Sequence, residues 1–442
     1  MSALPSQVQP SFNKPGDVAI EKFEINGLSI MDSVGTGISG FQFFLHEDWL
    51  ASFLTGHVIL SDTKDAFRNF GLQGNDTVEV SWRSNKKNFP LVTFRGVIKN
   101  YTDYAIIRPG LHVFKGNVIS HDEWNNSVKK ISKAFSGSCE DIVQQVFKNE
   151  LQSTEKLTVE ETVSGQKHDI ISPWWTPVQI INFMSGRAVG KTGGIGYHFF
   201  QNLNNGFFFV SPQWFADKNQ KHTIKHIKYG LNNITEGNAS IYSDYLNDLQ
   251  LAENIGILQL LPSLDNVEHA VFGATVNTLD LTRKKFDSYD IASADYQKVQ
   301  ASDGFAQQFI KSNNVDLLNP EQDFYQPRFL IGQKYQSNSY MDNASAFRYA
   351  DQYKVQKEIA DQRFMGVRAK MTLYGISDLQ IGDQIEFFMP VPNNSGSVTE
   401  NMKHLFLRGT WMVSAVSHMF QGSRFYSNQV FIQRDSFESD KS

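Results

Sequence analysis

One set of landmarks occurs twice in this chain, near its beginning and near its end, and it restricts the fold more than any other feature. In the first copy Leu72-Gln73 is followed by Asp76, Val78, Glu79 and Val80. In the second, Leu379-Gln380 is followed at the same spacing by Asp383, Ile385, Glu386 and Phe387. A loop comes next in each, at 85–90 and 391–401, and then Phe94-Arg95-Gly96-Val97 answers to Leu407-Arg408-Gly409-Thr410. Both copies run through an apolar strand to a turn glycine, Gly110 or Gly422. Eight residues later stands Val118 or Val430, preceded by Asn117 or Gln429. The physical reading is a turn that launches an amphipathic strand, a returning strand that carries Arg-Gly, and a second hairpin. Unrelated antiparallel meanders share turn glycines by chance, but the agreement here extends over several landmarks. Two copies are too few for a solenoid and suit a duplicated domain.

Between and around the copies the pattern changes. Val78, Val80 and Trp82 alternate with Thr77, Glu79 and Ser81, the period of a half-buried strand. With Val58-Ile59-Leu60 and the apolar runs 91–98 and 111–119, this makes 18–122 a small antiparallel barrel or sandwich. From 123 to 215 helix signals enter. Ser138 caps a helix with Asp141 at its third position, and Thr176-Pro177 with Gln179 forms a capping box and a proline start. That second helix is predicted to run to about Val189 and to be stopped by Gly193 and Gly194. Asn204-Asn205-Gly206 then marks a tight hairpin between 197–201 and 207–210. A further helix is expected over 344–363, with Phe347, Ala350, Val355 and Ile359 near one face. β-structure returns over 366–434.

Bulk properties exclude several classes. At 442 residues the chain is long enough for two to four domains. Aromatic residues make up 13%, including 35 Phe, which favours packed β-structure. A net charge of -5 gives no global case for binding nucleic acid or acidic membranes. The one cysteine, Cys139, can form no intrachain disulfide, as expected of a chain folded in a reducing compartment. The polar, proline-containing start lacks the apolar segment of a signal peptide, and no run of about 18 apolar residues predicts membrane insertion.

Several short motifs imitate active sites. Ser185-Gly186-Arg187-Ala188-Val189-Gly190-Lys191-Thr192 nearly spells a P-loop, but its helix precedes the Gly-Lys-Thr, so no helix N-terminus would face a phosphate. Gly35-Thr36-Gly37-Ile38-Ser39-Gly40 has the letters of a dinucleotide fingerprint, but a strand follows it. His222 and His226 could share a helix face, yet they lack a third metal ligand and sit among Lys221, Lys225 and Lys228. Glu160 and Glu161 are adjacent, so on a strand they point apart rather than face each other across a cleft. Trp174-Trp175 could stack on sugar, but beside two prolines the pair is expected to pin a helix start. No catalytic, cofactor-binding or metal-binding residue is assigned.

With these residues in hand, the order of units resembles the central baseplate hub of contractile-tailed bacteriophages, related to the hub part of type VI secretion spike proteins. Three stretches carry the resemblance. Ile171-Ser172-Pro173-Trp174-Trp175-Thr176-Pro177, with its helix and the hairpin through 207–210, is similar to the family's second domain. The segment 266–290, around Leu279-Asp280-Leu281-Thr282-Arg283-Lys284-Lys285-Phe286, resembles the lead-in of its inserted domain. Leu379-Gln380-Ile381-Gly382-Asp383 through Ile432 resembles its second tube barrel.

The resemblance implies an α+β, mainly β, fold with two similar tube-type antiparallel β-barrel domains, an α/β domain between them and a further domain inserted in the second barrel unit. The expected boundaries are 1–17 for a flexible arm, 18–122 for the first barrel, 123–215 for the α/β domain, 216–250 with 360–435 for the second barrel, 251–359 for the inserted α/β domain and 436–442 for a tail. It also implies a non-enzymatic homotrimer without cofactor, whose six barrels mimic sixfold order. Its implied partners are a tail tube or tube-initiator protein, the central spike protein, baseplate wedge proteins and, further, the tape measure protein. DNA would pass through the lumen without specific binding. The expected location is the virion tail baseplate, assembled in the host cytoplasm. A tail-tip module that binds host glycan or protein, and the hub of a phage-derived injection device, remain alternatives.

Overall fold

The structure is a computed structural model. It describes residues 16–69, 71–84, 90–162, 167–191, 196–216, 224–229, 251–260, 273–280, 284–292, 328–333, 357, 361, 364–388, 390–392, 398–403 and 409–434. The expected arm and tail therefore lie almost wholly outside the described residues. So do His222 and the four apolar positions of the helix expected over 344–363, although Lys357, Asp361 and Phe364 are helical.

The first segment is a meander: β1 (Val18–Ile25), β2 (Leu28–Ser29), β3 (Ile38–Asp48), β4 (Thr55–Asp62), β5 (Asp76–Ser84), β6 (Val92–Arg108) and β7 (Leu111–Ser120), with single-turn helices α1 (Ser33–Thr36) and α2 (Ala66–Asn69). The strands lie in the order β3-β4-β7-β6-β5-β1-β2, and every neighbouring pair is antiparallel. Period-two burial follows the alternation in the sequence: Val78, Val80 and Trp82 point inward with Phe23, Phe43, Phe94 and Phe114. Burying each of these large apolar side chains contributes about 2 kcal/mol.

The middle segment holds α3 (His121–Val128), β8 (Ala134–Gly137), α4 (Cys139–Gln145), β9 (Leu157–Val159), β10 (His168–Ile171), α5 (Pro177–Ser185), β11 (His198–Asn202), β12 (Gly206–Val210) and α6 (Pro212–Ala216). Both expected capping boxes form, on Ser138 with Asp141 and on Thr176 with Gln179. α4 runs on as a π-helical turn over Val146–Leu151. α5 ends at Ser185, earlier than expected. The Ser185 hydroxyl bonds back to the Asn182 carbonyl, and the amides of Arg187 and Ala188 turn onto Met184 O, which closes the helix before Val189. β11 and β12 pair as the expected hairpin, with Asn202 Oδ1 accepting the amides of Asn204 and Asn205.

The remaining strands are β13 (Ile224–Tyr229), β14 (Leu251–Leu260), β15 (Gly273–Asp280), β16 (Lys285–Ala292), β17 (Arg328–Gln333), β18 (Val367–Tyr374), β19 (Gln384–Phe388), β20 (Pro390–Pro392), β21 (Val398–Lys403), β22 (Gly409–Gln421) and β23 (Phe425–Arg434). β15, β16 and β17 form a separate three-stranded sheet, and β20 pairs with β21 alone. The others lie in the order β19-β13-β14-β18-β23-β22, and β19 also pairs with β22, so this sheet closes on itself. β14 was expected at the start of the inserted unit. Its hydrogen bonds to β18 and β13 put it in this closed sheet instead. Among the described residues the chain is thus mainly β, dominated by one large, mostly antiparallel sheet of 13 strands, with few helices.

The duplicated landmarks coincide with equivalent elements: β5, β6 and β7 in the first copy, β19, β22 and β23 in the second. Extending outward, β4 and β18 flank β7 and β23, and β3 and β14 come next, so the strand order is the same. Two differences stand out. β1 runs antiparallel to β5, whereas β13, in the corresponding place, runs parallel to β19. The strand register also slips: Val78 faces Gly96, but Ile385 faces Trp411 and Gly409 faces Phe387. A slip of two residues keeps the same side chains on the core face.

Candidate assembly surface

Most of the described residues that imitate active sites are engaged otherwise. In the P-loop-like stretch Gly190 bridges to Thr162, and Lys191 pairs with Glu161 while its amide bonds the Glu161 carbonyl. The last residue of that stretch, Thr192, lies outside the described residues. Glu160 points the other way: it is buried, and its carboxylate accepts the Ser211 amide at 2.7 Å. Gly35 lies in α1, Gly37 links α1 to β3 and Gly40 lies in β3, so a strand follows the fingerprint-like glycines, as the sequence pattern required. His226 lies in strand β13, so the helix face it was to share with His222 does not exist. Trp175 packs on Phe183 of α5 at 5.0 Å and so pins the helix start, but Trp174 is exposed with φ +63°. Cys139 is buried, and burial pushes its thiol up to about 12. Among the described residues no cluster of three His, Cys, Asp or Glu could hold a metal ion, and no helix is long and apolar enough to cross a membrane.

A cleft of about 540 Å³ opens between the first sheet and the middle segment, lined by Glu79, Arg95, His121, Asp122, Glu155 and Gln201 among others. Its Glu79 carboxylate is tied up. Glu79 lies 2.7 Å from Lys22 and 3.3 Å from Arg95, and these partners, Lys22 first, hold it below its ordinary value. Burial raises Asp122 above the ordinary carboxylate range.

The built feature of the molecule is the joint between its first and last sheets. β22 is long enough to serve both. Its first residues pair with β19, and Ala415–Gln421 pair antiparallel with Asp48–Gln42 of β3. Phe420 and Tyr426, from the C-terminal hairpin, stack at 4.5 Å and join the N-terminal core beside Trp82 and Phe43.

His418, Glu47, Tyr426 and Asn428, sealed in this joint, are hydrogen-bonded. His418 Nε2 lies 3.0 Å from Glu47 Oε1, and Glu47 Oε2 accepts the Leu203 amide. Asn428 Oδ1 accepts the Ile376 amide, which leaves Asn428 Nδ2 to donate to His418 Nδ1 at 3.1 Å and to the Tyr426 hydroxyl at 3.2 Å. His418 Nδ1 is therefore the acceptor, and its Nε2–H donates to Glu47. Ser84 and Ser377 hydroxyls close the far side at 2.7 Å. A His-Glu-Tyr set with no solvent access performs no chemistry on a substrate. It fixes the register of β22 on β3. No sequence pattern announced the joint, because the alternation in β22 is the same whichever strand it meets.

Apolar side chains cluster at two other places. The distal part of β6 exposes Tyr104, Ile106 and Ile107, and β14 exposes Ile257 and Leu258. Grouped apolar residues on strand edges mark contact surfaces.

Neither a family model nor a curated protein matches the sequence. Solved structures match the fold. A tail protein from Neisseria meningitidis MC58 superposes with a TM-score of 0.54 at 11% identity, over 95% of this chain and 97% of that one. The 43 kDa tail protein of prophage MuSo2 from Shewanella oneidensis gives 0.49 at 8% identity, over 95% and 98%. A type VI secretion component from Escherichia coli, itself structurally similar to T4 bacteriophage tail proteins gp27 and gp5, gives 0.45 at 8%, over 95% and 78%. On the first of these matches the chain has the fold of a tail protein over 95% of its length.

Proposed function

We propose that this chain is the structural hub subunit of a contractile phage tail, acting through subunit contacts rather than catalysis. The observation that carries the reading is that one chain holds two sheets of the same strand order, built on the same landmarks and joined side by side through β22 and β3. Three such chains present six similar modules around an axis. That arrangement lets a threefold body seat a hexameric tail tube on one face and a trimeric spike on the other. The modules act as tube-type barrels, with the middle segment and the separate β15–β17 sheet as further domains. The axial channel passes DNA, and wedge proteins bind the periphery. The tail-protein fold supports this reading, as does the engagement of Glu160, Lys191 and Trp175 in contacts within the fold.

The experiment is native mass measurement of the purified chain, alone and mixed with the tube and spike proteins of the same particle. The expected result is three times the chain mass alone, with larger complexes on adding either partner. A monomer that binds neither, or one that releases sugar or peptide from cell wall, contradicts it.

A further inference from the structure

A structural hub has no need of the cleft between the first sheet and the middle segment. At about 540 Å³ it falls within the roughly 300–1,000 Å³ of small-molecule sites. Two neighbouring amide side chains at the end of β11 line it, and both are more than nine-tenths buried: Gln201 is 7% exposed and Asn202 2%. Each has its oxygen committed within the fold. Gln201 Oε1 accepts the Leu54 amide at 3.2 Å, and Asn202 Oδ1 accepts the amides of Asn204 and Asn205. These bonds fix the orientation of both groups, and neither Gln201 Nε2 nor Asn202 Nδ2 donates to a partner among the described residues. An unpaired buried donor is costly and calls for an acceptor.

Acceptors line the same cleft. Glu155 is exposed on the loop before β9 and has no ion-pair partner among the described residues. Asn125 Nδ2 donates to His121 Nδ1 at 3.3 Å, which leaves Asn125 Oδ1 to accept. The apolar members of the lining, Leu54, Val78 and Phe94, are buried in the core of the first sheet, so an anchoring side chain of a protein partner would find little apolar surface. Charge is selective too. Glu24, Glu79, Asp122 and Glu155 outnumber Arg95 and His121 in the lining, which disfavours an anion. Lys22 already bridges Glu24 and Glu79, which weakens the pull on a cation.

We infer that this cleft binds a neutral polyhydroxylated ligand, one or two sugar rings of a saccharide, with Gln201 Nε2 donating to it and Glu155 and Asn125 accepting from it. A hydroxyl both donates and accepts, so neighbouring hydroxyls on one ring serve the amide donor and the carboxylate acceptor together. A phosphate only accepts when fully ionised and a guanidinium only donates, so each serves half of the set. The inference goes beyond the hub reading and does not depend on it.

The test is saturation-transfer NMR on the full chain with cellobiose, lactose and diacetylchitobiose, beside glucuronate and free arginine as charged controls. The expected result is transfer to at least one neutral disaccharide. Two variants locate the binding. Gln201→Glu keeps an oxygen for the Leu54 amide and removes the donor. Thr154→Trp fills the cleft from an exposed loop position, and it decides the matter alone should Gln201→Glu fail to fold. Each is expected to weaken binding about tenfold or more, with circular dichroism and native mass unchanged. Retention of the chain on the same disaccharide coupled to beads supports the inference with a surface glycan as the source, and binding of the free sugar alone supports it with a soluble one. No transfer to any neutral disaccharide at millimolar concentration overturns it. So does binding that Thr154→Trp leaves unchanged, a preference for glucuronate or arginine, or a protein partner whose binding Thr154→Trp abolishes while no sugar binds.

Discussion

Glu47 and His418 meet at 3.0 Å inside the β3–β22 joint, and neither side chain is exposed to solvent. Removing one partner leaves a buried polar group unsatisfied, which costs more than the bond is worth in isolation. Glu47→Ala is expected to lower unfolding stability by about 3 kcal/mol, measured by urea titration. A double-mutant cycle with His418→Phe should give a coupling of about 1 kcal/mol or more. Additive single effects would mean that the joint is held by its apolar neighbours alone.

The two copies share a turn as well as a strand order. Asp76 accepts the Gln73 amide at 3.2 Å, and Asp383 accepts the Gln380 amide at 3.1 Å. Asp76 also holds the Gly74 amide, Asn26 and the Tyr101 hydroxyl. Asp76→Ala is therefore expected to cost about 2 kcal/mol, more than Ala at any exposed aspartate, read from the thermal midpoint. Gly382, in the turn of the second copy, has φ +87°, and a Cβ there would meet the Phe215 ring at 2.1 Å. Gly382→Ala should be at least as damaging, because backbone strain and a clash coincide.

His168 gives the fold an acid limit. Burial, helped by the nearby Arg187 charge, lowers its pKa to about 4. The unfolded chain, with an ordinary histidine near 6.5, therefore binds the proton first as pH falls. Stability is full above about pH 6.5 and declines towards pH 4, by roughly 3 kcal/mol for this residue. Urea midpoints at pH 7 and pH 4.5 measure the loss, and His168→Gln should reduce the slope across that window, leaving the share of His57, which burial also lowers to about 4. An unchanged slope in the variant would assign the acid sensitivity elsewhere.

Cys139 is a packing residue. With its thiol buried and pushed up to about 12, it should resist thiol reagents at pH 8 in the folded chain and react fully in denaturant. Fast labelling of the native protein would mean that α4 opens locally.

Much of this architecture was legible in the sequence where the signal is local. The capping residues Ser138 and Thr176, the Asn-Gly hairpin at Gly206 and the alternation through Trp82 each depend on neighbours a few positions away. The repeat was legible because turn residues such as Asp76 and Asp383 carry fixed hydrogen-bonding duties. The β22–β3 joint was not, since its partners are remote in the chain and a period-two pattern names a face, not a neighbour. The reversed β13 and the two-residue slip between copies were missed for related reasons, since each is decided by tertiary packing, whereas the early end of α5 is set by local hydrogen bonds onto Asn182 and Met184 that no glycine announces. Trp174 was expected to pack and is exposed, because its left-handed backbone turns it away from the helix that Trp175 covers.

The claim on which the account depends is that one chain supplies two adjacent places in a ring. Electron-microscopy class averages of the purified assembly test it most directly. The account predicts six similar lobes around a central hole, with threefold symmetry once the separate β15–β17 sheet and the middle segment are resolved. A ring with six identical subunits, or particles without an axial hole, would contradict it.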